Sequence, residues 1–174
     1  MFECRALLLG GLCLVAACTR PAPQIAPASQ ADVAAVTAML ATMDSCARTG
    51  ALDRFMSLST DDVVMLAPDQ PAVVGKAAVR EVYRGLYTTL NLEMHHQPPV
   101  ETYAVGDLVI ARGDAGGTAT PKAGGTAVTM NNKFLMLFRR QADGSLKAWR
   151  VAFNTNAPAP PPAAPTPLHR STSK

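Results

Sequence analysis

The chain has 174 residues, 48% of them hydrophobic and 17% charged, with a formal net charge of +3. About twelve basic and about twelve acidic residues lie between Gln30 and Asn156, so the positive excess sits at the two ends. No basic stripe with interleaved aromatics occurs, which argues against nucleic-acid binding.

In chain order, a short polar head, Met1-Phe2-Glu3-Cys4-Arg5, precedes an apolar run from Ala6 to Ala17. That run has the length of a signal-peptide core and is too short for a bilayer interior of roughly 30 Å. It closes on Leu14-Val15-Ala16-Ala17-Cys18, which resembles a bacterial lipobox. Residues 1–17 are therefore expected to be a lipoprotein signal peptide, with Cys18 as the lipidated first residue of the mature protein. The expected address is the bacterial cell envelope, facing the periplasm, with the membrane contact made through lipid on Cys18. Thr19, which is not Asp, favours the outer membrane. Residues 18–29, rich in Pro and Ala, read as a flexible tether. Residues 157–174, with Pro160-Pro161-Pro162, read as a Pro-rich disordered tail. Cys4 and Cys13 leave with the signal peptide, so Cys46 is expected to be a lone thiol with a buried, apolar role.

One domain is expected over residues 30–156. Apolar residues at Val33, Val36, Leu40, Met43 and Ala47 follow steps of three and four, the stripe of an amphipathic helix. Ser29 or Asp32 suits its start and Gly50 its end. A short helix fits Leu52 to Leu58, with Leu52, Phe55 and Met56 inward. Val63-Val64-Met65-Leu66 reads as a strand stopped by Pro68. Pro71 and Gly75 punctuate the next turns. A third helix fits Lys76 to Leu90, with Val79, Val82, Tyr83, Leu86 and Leu90 on one side. Strands are then predicted over 92–103, 108–115, 128–140 and 146–154. Gly106-Asp107 and Ala142-Asp143-Gly144-Ser145 supply turns, and Gly116, Gly117, Gly124 and Gly125 form a glycine-rich link. Helices followed by an antiparallel meander give the class α+β.

Three segments carry a family resemblance. Gly50-Ala51-Leu52-Asp53 leads to Ser59-Thr60-Asp61-Asp62-Val63. Gly75-Lys76-Ala77-Ala78-Val79-Arg80-Glu81-Val82-Tyr83 follows. Asp143-Gly144-Ser145-Leu146-Lys147-Ala148-Trp149-Arg150-Val151 comes last. In this order they resemble a SnoaL-like domain of the nuclear transport factor 2-like superfamily. The resemblance implies a cone: a strongly curved antiparallel sheet wrapped around the N-terminal helices, enclosing an apolar pocket. It also implies a homodimer formed through the outer sheet face. The superfamily includes ketosteroid isomerase, whose catalytic positions map here onto Ala67 (general base) and onto Met43 and Met136 (oxyanion-hole donors). All three are apolar. With no carboxylate and no donors, isomerase chemistry of that type has no machinery.

Fold does not give function. The methionines at positions 39, 43, 56, 65, 94, 130 and 136 suit an adaptable apolar cavity. Strand alternation is expected to turn Met136, Phe134, Asn132, Phe153, Val151 and Trp149 inward, and to give Ile110, Arg112 and Asp114 a common face. The expected ligand-binding set is Met43, Met65, Tyr83, Met94, Arg112, Asn132, Phe134, Met136, Trp149 and Phe153, around a small apolar or amphipathic molecule. Neighbouring His95 and His96 point to opposite sides of a strand and cannot share a metal, so neither metal nor cofactor is expected. Gly75-Lys76-Ala77 lacks the rest of a phosphate loop. The first reading is a pocket that binds without catalysis. A SnoaL-like enzyme of isomerase, cyclase or dehydratase type, with His96, Arg112 or Asp114 as acid–base groups, is the alternative. A protein-interaction module using the outer sheet face is the third. The lipobox makes its own prediction: the chain incorporates a palmitate label in its host, and Cys18→Ala abolishes incorporation. Equal labelling of the variant would contradict the anchor.

Overall fold

The computed structural model describes residues 23–156, and the lipobox, the Cys18 acylation site and the Pro-rich tail lie outside them. Helix α1 (Gln30–Thr49) begins where the sequence supplies a cap: the Ser29 hydroxyl accepts from the Asp32 amide at 3.1 Å. It ends at Gly50, whose φ of 68° places it in the left-handed region that glycine enters at least cost. Val36, Met39, Leu40, Met43, Cys46 and Ala47 are buried along its inner stripe. Val33, expected on that stripe, is exposed; the neighbouring Asp32 faces the sheet in its place. The Asp32 carboxylate takes Arg140 at 2.6 Å, which holds its carboxyl below the ordinary range and pins the helix start to the sheet. Cys46 is buried, as expected, and burial pushes its thiol pKa up.

Helix α2 (Leu52–Ser57) buries Phe55 and Met56, and helix α3 (Lys76–Thr89) buries Val79 and Tyr87. The strands are β1 (Ala26–Pro27), β2 (Ser59–Leu66), β3 (Val73–Val74), β4 (Leu90–His96), β5 (Glu101–Val105), β6 (Leu108–Pro121), β7 (Val128–Arg140) and β8 (Leu146–Thr155). They form one sheet in the order β1-β5-β6-β7-β8-β2-β3, with β4 also paired to β6. The class is α+β, as expected, with helices covering the concave face of a curved sheet. The sheet is mixed, however: β2 runs parallel to β8.

Four further details differ from the sequence reading. The end of the expected tether, Ala26–Pro27, pairs with Ala104 and Tyr103 of β5. The strand expected over 92–103 is two strands on one edge of β6. Gln97 and Val100 donate to Asp114 and Arg112, so three steps on one side match two on the other. Pro98 and Pro99, which lack an amide hydrogen, occupy the resulting bulge. The expected glycine link at 116–117 lies inside β6, which continues to Pro121. Gly117 has φ 144°, and a β-carbon there would lie 1.7 Å from the Glu93 carbonyl oxygen of β4. β4 therefore pairs with β6 through a positive-φ position at 117 that only glycine permits. Finally, β8 carries an extra residue: Arg150 lies opposite Leu137 and Ala148 opposite Phe138, with Trp149 left between.

The core under the helices centres on Phe138, Met56, Val36, Val63 and Val109, each at most 1% exposed. Gly117→Ala is expected to destabilise the domain by about 2 kcal/mol or more, since the obstructing atom is backbone. Urea denaturation measures it, and a midpoint equal to wild type would contradict the close approach of the Glu93 carbonyl.

Candidate functional site

The helices do not fill the cone. Between them and the concave face of the sheet remains a cavity of about 340 Å³, within the range of small-molecule sites. Its walls follow from strand periodicity. Met130, Asn132, Phe134 and Met136 of β7 alternate inward, as do Leu90, Leu92, Met94 and His96 of β4. Val63 and Met65 come from β2, and Val151 and Phe153 from β8. Helix α1 adds Met43, and α3 adds Tyr83, Leu86 and Tyr87. Room for Phe134 is made by Gly113, where a β-carbon would stand 2.9 Å from the Phe134 ring.

Eight of the ten residues expected around a ligand line this cavity: Met43, Met65, Tyr83, Met94, Asn132, Phe134, Met136 and Phe153. Ala67 lines it too, so all three positions corresponding to the isomerase machinery face the cavity as apolar groups.

Arg112 and Trp149 do not. Ile110, Arg112 and Asp114 do share a face, but it is the outer one; the inner residues are Val109, Ala111, Gly113 and Ala115, small because Phe134 and the helices crowd them. Arg112 pairs with Glu101, directly opposite on β5. Asp114, with the same orientation, meets Asn156 at 3.4 Å, so neither group serves as an acid or base in the cavity. Trp149 turns outward because the β8 bulge reverses the alternation at that point, placing Ala148 inward instead. Its indole lies between the guanidiniums of Arg139 and Arg150, whose Cζ atoms are 4.2 and 4.0 Å from the ring centroid. The indole N–H donates to Asp62 at 2.9 Å, and this bond holds the Asp62 carboxyl below the ordinary range.

His96 is the polar group of consequence. Its side chain is 6% exposed and lines the cavity, while His95 is exposed on the other side of the strand. Asp44 of α1, absent from the sequence reading, holds it twice. One carboxylate oxygen lies 2.6 Å from ring Nδ1, and the other accepts the His96 backbone N–H at 2.8 Å. The backbone bond exists because β4 pairs with β6 along one edge only, leaving this amide on the open edge. The Phe134 ring meets the imidazole edge to face at 5.4 Å between centroids. With Nδ1–H donating to the carboxylate, Nε2 is the ring nitrogen left as acceptor in the neutral imidazole. The available signal for Asp44 was its place one residue after Met43 on a helix otherwise apolar on that side.

Besides His96, the polar side chains among the lining residues are Ser59, Gln70, Asn132 and two phenols on α3, Tyr83 and Tyr87. Burial pushes the Tyr83 pKa up to about 12 and the Tyr87 pKa higher still, so both stay protonated donors.

Comparison with known proteins agrees with this geometry. The family model described as SnoaL-like domain matches residues 31–149. A ketosteroid isomerase-like protein from Erwinia carotovora superposes with TM-score 0.66 at 26% identity, covering 75% of this chain and all (100%) of that one. A nuclear transport factor 2-like superfamily protein from Salmonella enterica gives 0.67 at 12% identity, covering 78% of this chain and 99% of that one. A proposed scytalone dehydratase from Novosphingobium aromaticivorans also gives 0.67 at 12% identity, covering 73% and 85%. At the identities of the last two the likeness is one of fold alone. No curated protein matches the sequence.

Asp44→Ala strands the His96 amide and imidazole together. It is expected to cost about 1–3 kcal/mol, read as a shift in the urea midpoint. An unchanged midpoint would mean that Asp44 holds nothing.

Proposed function

The chain belongs to the SnoaL-like family of the nuclear transport factor 2-like superfamily, and from that premise we propose that it is a small acid–base enzyme. In this reading His96 Nε2 takes a proton from carbon on a small, largely apolar compound with a carbonyl or equivalent activating group. The observation that carries the proposal is the Asp44–His96 pair: a buried imidazole that lines an apolar cavity, with Nδ1 fixed at 2.6 Å from a carboxylate and Nε2 left as the free ring nitrogen. Asp44 sets the tautomer and stabilises the imidazolium that forms, so the proton removed from carbon has a defined destination. The apolar walls hold the substrate without competing for the base, and exclude water from it. The same proton, returned at another carbon, gives isomerisation; loss of a β-hydroxyl instead gives dehydration.

Binding without chemistry is the second reading. It is favoured by the methionine-lined walls and by apolar Ala67, Met43 and Met136, and it gives no role to the bare Nε2. In either case we propose that lipid on Cys18 holds the domain at the envelope membrane, which would restrict its ligands to molecules of that compartment.

Exchange of carbon-bound hydrogen tests the proposal. The protein is expected to accelerate deuterium uptake at the α-carbons of 2-tetralone in heavy water, followed by proton NMR. His96→Gln and Asp44→Asn should lower the protein-dependent rate by about a hundredfold or more. Exchange no faster than buffer alone, or unaffected by His96→Gln, would leave the binding reading in its place.

A further inference from the structure

The chain enters the domain along one edge of the sheet. Pro23 lies at the β5–β6 turn, 3.9 Å from where a β-carbon on Gly106 would stand, and β1 then pairs with Ala104 and Tyr103 of β5. Sheet edges normally carry charge, which discourages association. This edge carries almost none. Between Pro23 and Gln30, and again between Gln97 and Gly106, the sole charged side chain is Glu101, and Arg112 pairs with it. What the edge exposes is apolar: Ile25 is 68% exposed, Val100 58% and Tyr103 37%. Pro27 lies opposite Tyr103, and residues two apart on a strand share a face, so Ile25 and Tyr103 point to the same side. The β2–β3 edge exposes Val74, but Asp61 and Asp62 of β2 and Lys76, two residues after Val74, keep that edge charged.

Five residue steps separate Pro23 from Cys18. Fully extended, they reach about 18 Å. A domain of this length is about 35 Å across, so the link is roughly half the breadth of what it holds. Lipid on Cys18 would therefore keep the β1–β5 edge beside the bilayer surface. Arg20, the one charge between Cys18 and Ser29, has the sign that anionic headgroups attract.

Resting on the lipidation of Cys18 proposed above, we propose that the β1–β5 edge is a membrane-contact surface, with Ile25, Val100 and Tyr103 set into the headgroup layer of a phospholipid bilayer. Two independent features meet there: the point where the chain comes in from its lipid, and the edge that lacks charge. Tyr103 suits such a boundary, since its ring leaves water while its hydroxyl stays hydrated. Glu101 and Arg112 bring no net charge with them. A protein strand is a poorer occupant. β1 is two residues long and contains Pro27, which offers no amide, so the edge is a weak template for another strand. Anchoring is the work of the lipid; the edge supplies orientation. Burying apolar side chains at the boundary makes a tethered domain stand on β1–β5 instead of tumbling.

Spin labels test the contact. The lipidated chain, purified from its host, is placed in vesicles of phosphatidylethanolamine and phosphatidylglycerol. A nitroxide is attached at Gln97→Cys, at the end of this edge remote from Pro23, or at Val74→Cys on β3. Cys46 is buried and does not take the label. Oxygen concentrates in lipid and a nickel chelate stays in water, so collisions with each report what surrounds the label. The label at 97 is expected to gain oxygen collisions and lose nickel collisions relative to the label at 74. Val100→Ser should lower its docked-to-free ratio by about threefold or more, and Val100→Ser with Tyr103→Ser by about tenfold or more. Both side chains are exposed, so the urea midpoint should stay near wild type. A label at 97 as open to nickel as that at 74 overturns the contact. So does one sheltered from oxygen and nickel alike, because protein would then cover the edge. Docking that persists in the double variant overturns the role of these side chains. Each of these results leaves the lipidation standing, which palmitate incorporation reads separately; absence of incorporation overturns both.

Discussion

Asp44 holds this structure's two halves in one relation. One oxygen of its carboxylate takes a backbone amide from the open edge of β4, and the other takes the side chain of the same residue. Apolar contacts alone let a helix slide and rotate on a sheet; the Asp32–Arg140 pair fixes the start of α1, and the two hydrogen bonds from Asp44 to one residue fix its height and rotation at the cavity. Met43 and Ala47, which face the cavity from α1, lie beside that clasp. The imidazole takes its orientation from it, because the ring cannot turn without losing the Nδ1 bond.

The cavity itself exists because the sheet is bent and not because side chains are missing. Glycine at 117 lets β6 take a positive φ opposite β4, where a β-carbon would strike the Glu93 carbonyl. The Pro98-Pro99 bulge turns the chain from β4 into β5, and the β8 bulge turns Trp149 out and Ala148 in. Gly113 then makes room for Phe134. Each irregularity sits where a regular strand would have pushed a side chain into the space or carried the sheet away from the helices. The outer face pays in polarity: the Arg139–Trp149–Arg150 stack and Asp62 occupy the surface over the same bulge.

These features divide what the sequence revealed from what it hid. The α1 stripe, its Ser29 and Gly50 ends, and the bounds of β7 were legible because they depend on local periodicity and capping. The cavity residues of β7 were legible because Met136 fixed the parity of the whole strand. Arg112 was misplaced because its inner neighbours, Ala111 and Gly113, are small and do not look like a buried face. Trp149 was misplaced because parity counting assumes no bulge, and nothing in Lys147-Ala148-Trp149-Arg150 signals one. Gly116-Gly117 reads as a loop by composition, yet lies inside β6, paired to β4 on one side and β7 on the other. The parallel β2–β8 pairing and the Asp44–His96 contact join residues far apart in the chain, so no local pattern could disclose either.

The account turns on which nitrogen of His96 bears the proton. Long-range proton–nitrogen correlation spectra of the neutral imidazole measure this directly, without a substrate. The account predicts a fixed ring with hydrogen on Nδ1, donated to Asp44, and Nε2 unprotonated. A ring with its hydrogen on Nε2, or one averaging between tautomers, would contradict it, because the cavity would then hold a donor or a loose imidazole where the chemistry needs a base.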